Sequence, residues 1–156
     1  MTMTEGELQY AHSWLNQRYF DGRLQAAIIR FFPELAHNER GCEGVCVTTD
    51  TIPCIIELFI NPEEYGSLVC KGHIITVLLH EMIHQYCSEN DIDDTDHNEA
   101  FVAEAEKRGM TRRGYVMTEP ALLEVYDVLN IYEKAFNVKL EAVPNREEKP
   151  INGDQT

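Results

Sequence analysis

The sequence predicts an α+β fold, with an N-terminal helix, a small sheet of about three strands, and a central helix followed by two further helices. Three observations carry this expectation. Residues 4–20 place apolar side chains at helical spacing, residues 26–60 hold three short runs rich in β-branched or aromatic residues, and residues 68–86 form a long helical stretch with an unusually wide apolar face.

Taken in order, Thr4 followed by Glu7 has the spacing of a capping box, and Leu8, Ala11, Leu15 and Tyr19 share one helical face that stops near Asp21-Gly22. The strands are expected over Ala26 to Phe32, Gly44 to Thr49 and Cys54 to Ile60, bounded by Pro33, Pro53 and Asn61-Pro62. Ser67 can cap the central helix, whose Ile74, Ile75, Leu78, Leu79, Met82, Ile83 and Tyr86 require burial on most sides. After an acidic loop from Asn90 to Asp96, a helix carries Phe101, Val102 and Ala105 to an end signal at Gly109. The last helix starts near Thr118-Glu119-Pro120 and ends near Phe136. Residues 1–136 therefore read as a single domain, and 137–156, with Pro144, Pro150 and Gly153 and no periodicity, as a flexible tail.

With 156 residues the chain can bury one core. Thirteen basic against twenty-seven acidic residues give a formal charge of −14, which repels nucleic acid unless positive charge is concentrated locally. Arg108, Arg112 and Arg113 form the only such cluster. The start of the chain lacks a secretory pattern, and the aliphatic run from Ile74 to Leu79 is too short to span a bilayer, so a cytoplasmic protein with no membrane partner is expected. Five cysteines at irregular spacing read as reduced thiols, and Cys42 with Cys46 lack the second pair that a zinc finger would need. No feature sets an oligomeric state.

The chemistry concentrates in His80-Glu81-Met82-Ile83-His84. Residues four apart lie one turn above each other on a helix, so His80 and His84 can grip one ion while Glu81 reaches a water beside it. Zinc suits imidazole nitrogen, takes three protein ligands in catalytic sites and leaves a position open, which together with a carboxylate base is the equipment for amide hydrolysis. Chance produces the pattern in roughly 3% of shuffled chains of this composition, and burying two histidines and a glutamate on an aliphatic helix is costly without a shared purpose.

Two residues compete for the third ligand position. His97 follows a loop able to reverse the chain, and Glu104 lies seven residues further on, roughly 10 Å away along a helix, so both cannot bind one ion. His97 is favoured. Metzincin spacing is excluded, since Cys87 and Asn90 stand where glycine and histidine are required. The acidic run Asp91 to Asp96 lacks the glycine and terminal glutamate of a calcium loop, having Asp96 and Val102 there, and reads as a solvated loop. His73 reads as a helix-surface or cap residue, His12 and His37 read as ordinary, and Tyr115 or an arginine near it is a candidate to face charge developing on a substrate.

These residues resemble the SprT-like metallopeptidases, the family that includes the Spartan proteases acting on DNA–protein crosslinks. The likeness runs through Asn16-Gln17-Arg18-Tyr19-Phe20-Asp21-Gly22-Arg23-Leu24, Gly41-Cys42-Glu43-Gly44-Val45-Cys46, Ile56-Glu57-Leu58 and Leu78 to Tyr86, and ends with His97 and Phe101. It implies a zincin-like metallopeptidase core in which His80, His84 and His97 bind Zn2+ and Glu81 is the catalytic base. It also implies a protein or peptide substrate, cut in a groove beside an edge strand from Cys54 to Ile60. The chain departs from the family at Asn98, where glycine is usual. It also carries no CxxC pair, and residues 141 to 156 hold four acids against two bases, so the DNA-binding addition of many members is missing. Association with DNA is accordingly the weaker implication. Two other classes remain: a zinc-bearing protein-binding module without hydrolytic activity, and an acidic mimic of nucleic acid.

Overall fold

The computed structural model describes residues 2–49 and 53–141, with only the backbone of Val69 and of 137–141. Helix α1 spans Glu5–Phe20. The Thr4 hydroxyl caps it by accepting from the Glu7 N–H, and Asp21 and Gly22, both at positive φ, turn the chain out of it. Leu8, Ala11, Leu15 and Phe20 are buried, so Phe20 goes deeper than the half-buried Tyr19.

Strands β1 (Ala27–Phe31), β2 (Gly44–Val47) and β3 (Cys54–Leu58) form one sheet in the order β1-β3-β2. β1 runs parallel to β3 with Ile29 opposite Ile56, and β2 runs antiparallel to β3 with Cys46 opposite Ile56. This corrects the expected edge. Cys54–Leu58 is the central strand, paired along its length with β1 and over Ile55 to Leu58 with β2, and β1 and β2 are the two edges. The reason is chain direction: a short β2–β3 connection makes an antiparallel neighbour, whereas β1 docks parallel on the opposite side of β3.

Helix α2 (Leu68–Glu89), capped by the Ser67 side chain accepting from the Cys70 N–H, lies across the inner face of the sheet. It touches β2, β3, α1, α3 (Glu99–Glu106) and α4 (Glu119–Glu141), and its Ile74, Leu78, Leu79, Met82 and Ile83 are fully buried. Charged groups also enter this core. Lys71, wholly buried, pairs with Glu133 of α4 and lies 3.6 Å from the buried Glu7 of α1. α4 continues five residues past its expected end at Phe136, and the rest of the expected tail, 142–156, lies outside the described residues. Between α3 and α4 the chain forms a small hairpin, β4 (Met110–Thr111) with β5 (Val116–Met117), that no strand signal in the sequence announces. No helix among the described residues is long and apolar enough to cross a membrane.

Candidate metal centre

His80, Glu81 and His84 lie in the middle of α2, on the side turned toward β2 and α3. His97 arrives on a single 3₁₀ turn, Thr95–His97, in which Asp96 and His97 both adopt left-handed backbone angles. The acidic loop is thus folded and held. Asp93 accepts from the Thr95 backbone and hydroxyl, and the Asn98 side chain donates to the Asp93 carbonyl at 2.8 Å. Asn98 itself has φ −67 and caps α3 by accepting from the Phe101 N–H, so this position has no need of glycine.

Each ring of the HExxH pair is oriented from behind. His80 Nδ1 donates to the Gly114 carbonyl at 2.6 Å, and His84 Nδ1 donates to the Asp94 carboxylate at 2.6 Å. Both acceptors lack a proton to give, so both rings carry hydrogen on Nδ1 and present a bare Nε2. Those two Nε2 atoms each lie 3.1 Å from Nε2 of His97. Nitrogens bound at 2.0–2.1 Å around a tetrahedral ion stand about 3.3 Å apart, so the spacing is that of three corners of a metal site. One proton on His97 could satisfy only one of its two neighbours, whereas one cation satisfies all three lone pairs. The three residues are the group that could hold a metal ion among the described residues.

The surroundings fix these rings and favour the neutral forms of His80 and His97. Phe101 stacks on His84 at 4.4 Å and contacts His80 and His97 at 5.1 and 4.9 Å. Tyr115, 56% exposed, covers His80 and His97 at 4.9 and 5.5 Å. Burial, reinforced by the neighbouring histidines, pushes His80 down to about 4, and burial also lowers His97. Glu81 is 6% exposed, and burial raises its carboxyl to about 8, where it can gain and lose a proton near neutrality. Its carboxylate lies against the start of β2, where a Cβ on Gly44 would fall 3.2 Å from Glu81 Oε2.

The centre opens into a cleft of about 740 Å³ between the face of α2 and the edge strand β2. The chain matches no family model and no curated protein. The cleft runs from His73 at one end, past His80, Glu81 and His84, to Ser88 at the other, with Gly44 to Thr48 as its facing wall. His73 is more than a surface residue here: it bonds Glu43 at 2.7 Å and stacks on Tyr65. His12 is buried against Gln85, and His37 pairs with Glu64 on the surface.

Of the two candidates for the third position, His97 joins the cluster and Glu104 does not. Glu104 is held by Arg108 at 2.6 Å and by Lys107, away from the cluster. Arg108 is itself buried over the rings of Phe20 and Tyr86, and Arg113 pairs with Glu99, so the basic cluster does not present itself as one patch. Sequence reasoning missed Asp94 and Gly114. The only signal for Asp94 is a carboxylate three residues before His97, and a backbone carbonyl such as that of Gly114 leaves no signal.

Proposed function

We propose that this chain is a zinc-dependent endopeptidase of SprT-like type, with His80, His84 and His97 as the metal ligands and Glu81 as the general base. The observation that carries the reading is the convergence of three imidazole Nε2 atoms, two of them on rings locked by Nδ1 bonds, beside a buried carboxyl in an open cleft. Zinc bound there would lower the pKa of a water and polarise a carbonyl. Three ligands leave room for such a water, which a closed structural site does not.

The chain's own groups divide the remaining work. Glu81 takes the proton of the attacking water and can pass it to the leaving amine, a role served by a carboxyl raised toward neutrality. Gly114 and Asp94 hold the imidazoles in one tautomer and orientation. Tyr115, exposed beside His80 and His97, is placed to face charge on the substrate.

The substrate would lie extended along β2, whose outer edge pairs with no strand among the described residues. From His73 to Ser88 the helix face measures about 22 Å, enough for some six or seven extended residues. Substrate is thus a protein or flexible peptide, cut internally in a cytoplasmic setting.

The test is cleavage of a DNA-binding protein by the zinc-loaded parent and a Glu81→Gln chain, with and without single-stranded DNA. Glu81-dependent cutting only with DNA places the substrate among DNA-associated proteins. Cutting that ignores DNA retains the peptidase and removes that substrate class. Absence of cutting by the parent on this and on unfolded protein substrates overturns the reading in favour of a zinc-bearing binding module.

A further inference from the structure

Cys46 and Cys54 stand apart from the three histidines, Cys46 lining the same cleft and Cys54 buried beside it in β3. Their sulfurs are 3.3 Å apart, linked by an S–H···S contact between β2 and β3. The register explains the approach. Cys46 lies opposite Ile56, whose side chain is wholly buried against α2, and Cys54 is two residues earlier on the same face of β3. The antiparallel ladder ends at Val47 opposite Ile55, so the two thiols meet where the two strands part.

Two features distinguish this pair from thiols that merely fill space. Cys54 is fixed in the central strand by parallel pairing with Ala27, while Cys46 is half-buried and lines the cleft, so one sulfur is anchored and the other can be reached. The contact also polarises the pair: the bond to Cys54 holds the Cys46 thiol far above its ordinary value, and the same bond lowers Cys54. The other three cysteines, Cys42, Cys70 and Cys87, are exposed or lie elsewhere in the core.

We propose that Cys46 and Cys54 are a reversible dithiol–disulfide site that reacts with low-molecular-weight disulfides, of which glutathione disulfide is the type. With its hydrogen passed to the Cys54 thiolate through the S–H···S contact, the Cys46 thiolate attacks one sulfur of the incoming disulfide, whose S–S bond breaks, and the thiolate released takes that hydrogen from Cys54 and leaves as a thiol. Cys54 then attacks the Cys46 sulfur of the mixed disulfide, forming the Cys46–Cys54 bond and releasing the second thiol. Two electrons and the two thiol hydrogens leave with the two reduced molecules, the second hydrogen by way of water, and a dithiol reverses the step. Closing the bond brings the sulfurs from 3.3 Å to the roughly 2.05 Å of a disulfide and clamps β2 to β3 along the cleft. This chemistry stands independently of peptide hydrolysis.

The experiment is peptide mapping of the intact chain after equilibration in glutathione disulfide, followed by dithiothreitol, for the parent, Cys46→Ser, Cys54→Ala and Cys42→Ser. The expected result is a single 46–54 crosslink in the parent and in Cys42→Ser. Titratable thiols in denaturant should then fall by two in the parent and be restored by dithiothreitol. The crosslink should be absent in the other two variants. Mixed disulfides confined to Cys42 and Cys70, or a crosslink using Cys42, would overturn the proposal. Because the parent's own map decides, a variant that folds poorly does not obscure the answer.

Discussion

At the residue scale, the arrangement turns on what stands behind each imidazole. The HExxH pair is a local pattern, so its four-residue spacing was readable directly, and His97 could be chosen over Glu104 from the turn preceding it. Asp94 and Gly114 were not readable, because they reach His84 and His80 across ten and thirty-four residues of chain. Asp94→Asn keeps the shape but removes the charge that holds the Nδ1 proton. Metal affinity measured by competition with a chromogenic chelator should fall about 10- to 100-fold. Glu81→Gln should instead leave metal affinity close to the parent's and lower the cleavage rate by roughly 10²-fold or more. Parallel losses in both variants would show that Glu81 is holding the site together structurally. Gly114→Ala introduces a Cβ 2.8 Å from Phe101 Cε1 at a residue with φ +93, which displaces both the carbonyl under His80 and the ring that packs the three histidines. A loss of about 1–3 kcal/mol is expected from urea unfolding, together with weaker metal binding.

At the element scale, the boundaries of α1, α2 and α4's start followed from Thr4, Ser67 and Glu119-Pro120, since caps and prolines act within one turn. Strand order did not follow. Which of three short strands is central depends on partners that no single strand specifies, and here the expected edge, Cys54–Leu58, became the middle. The consequence is functional, because the free edge facing the cleft belongs to β2. The β4–β5 hairpin escaped notice because two-residue strands have no periodicity to detect. Helix packing supplies a further expectation at this scale. Lys71 joins α1, α2 and α4 through Glu7 and Glu133, and Glu7 has one buried carboxylate oxygen with no hydrogen-bond partner. Burial already raises the Glu7 carboxyl despite the nearby ammonium. Lys71→Met should therefore destabilise the fold by about 3 kcal/mol, read as a shift in the urea midpoint, because it strands two carboxylates near one another. Glu7→Gln should cost much less, since its partner keeps Glu133.

At the scale of the whole molecule, three buried or partly buried histidines, His12, His80 and His97, are held below 6.5 chiefly by burial. At these three groups the unfolded chain binds more protons than the folded one as pH falls through 6.5, so their contribution to folding stability falls with pH below that value. For His80 the loss continues down to about 4. Glu7 and Glu81 run the other way, because burial raises both carboxyls and so favours the fold toward acid, Glu81 from about 8 downward. The urea midpoint of a chelator-treated Glu81→Gln chain, which lacks one of these opposing carboxyls, should accordingly be lower at pH 5 than at pH 7.5, and an unchanged midpoint there would contradict the burial of neutral imidazoles. Zinc should raise the melting temperature at pH 7.5 by an amount that grows with metal concentration, equivalent to about 4 kcal/mol at roughly 1000 times Kd. That gain should shrink at pH 5, where protons compete for the same nitrogens. By itself, the sequence determined the helices, the approximate strands, the paired histidines and the carboxylate between them, because periodicity, capping and an i, i+4 pair are properties of a few consecutive residues. Only the tertiary structure decided that Cys54–Leu58 is central and β2 lies at an edge, that Asp94 and Gly114 orient the rings, that Glu104 is turned away, and that Cys46 meets Cys54. Each of these depends on segments distant in the chain arriving at one place, which local chemistry cannot specify.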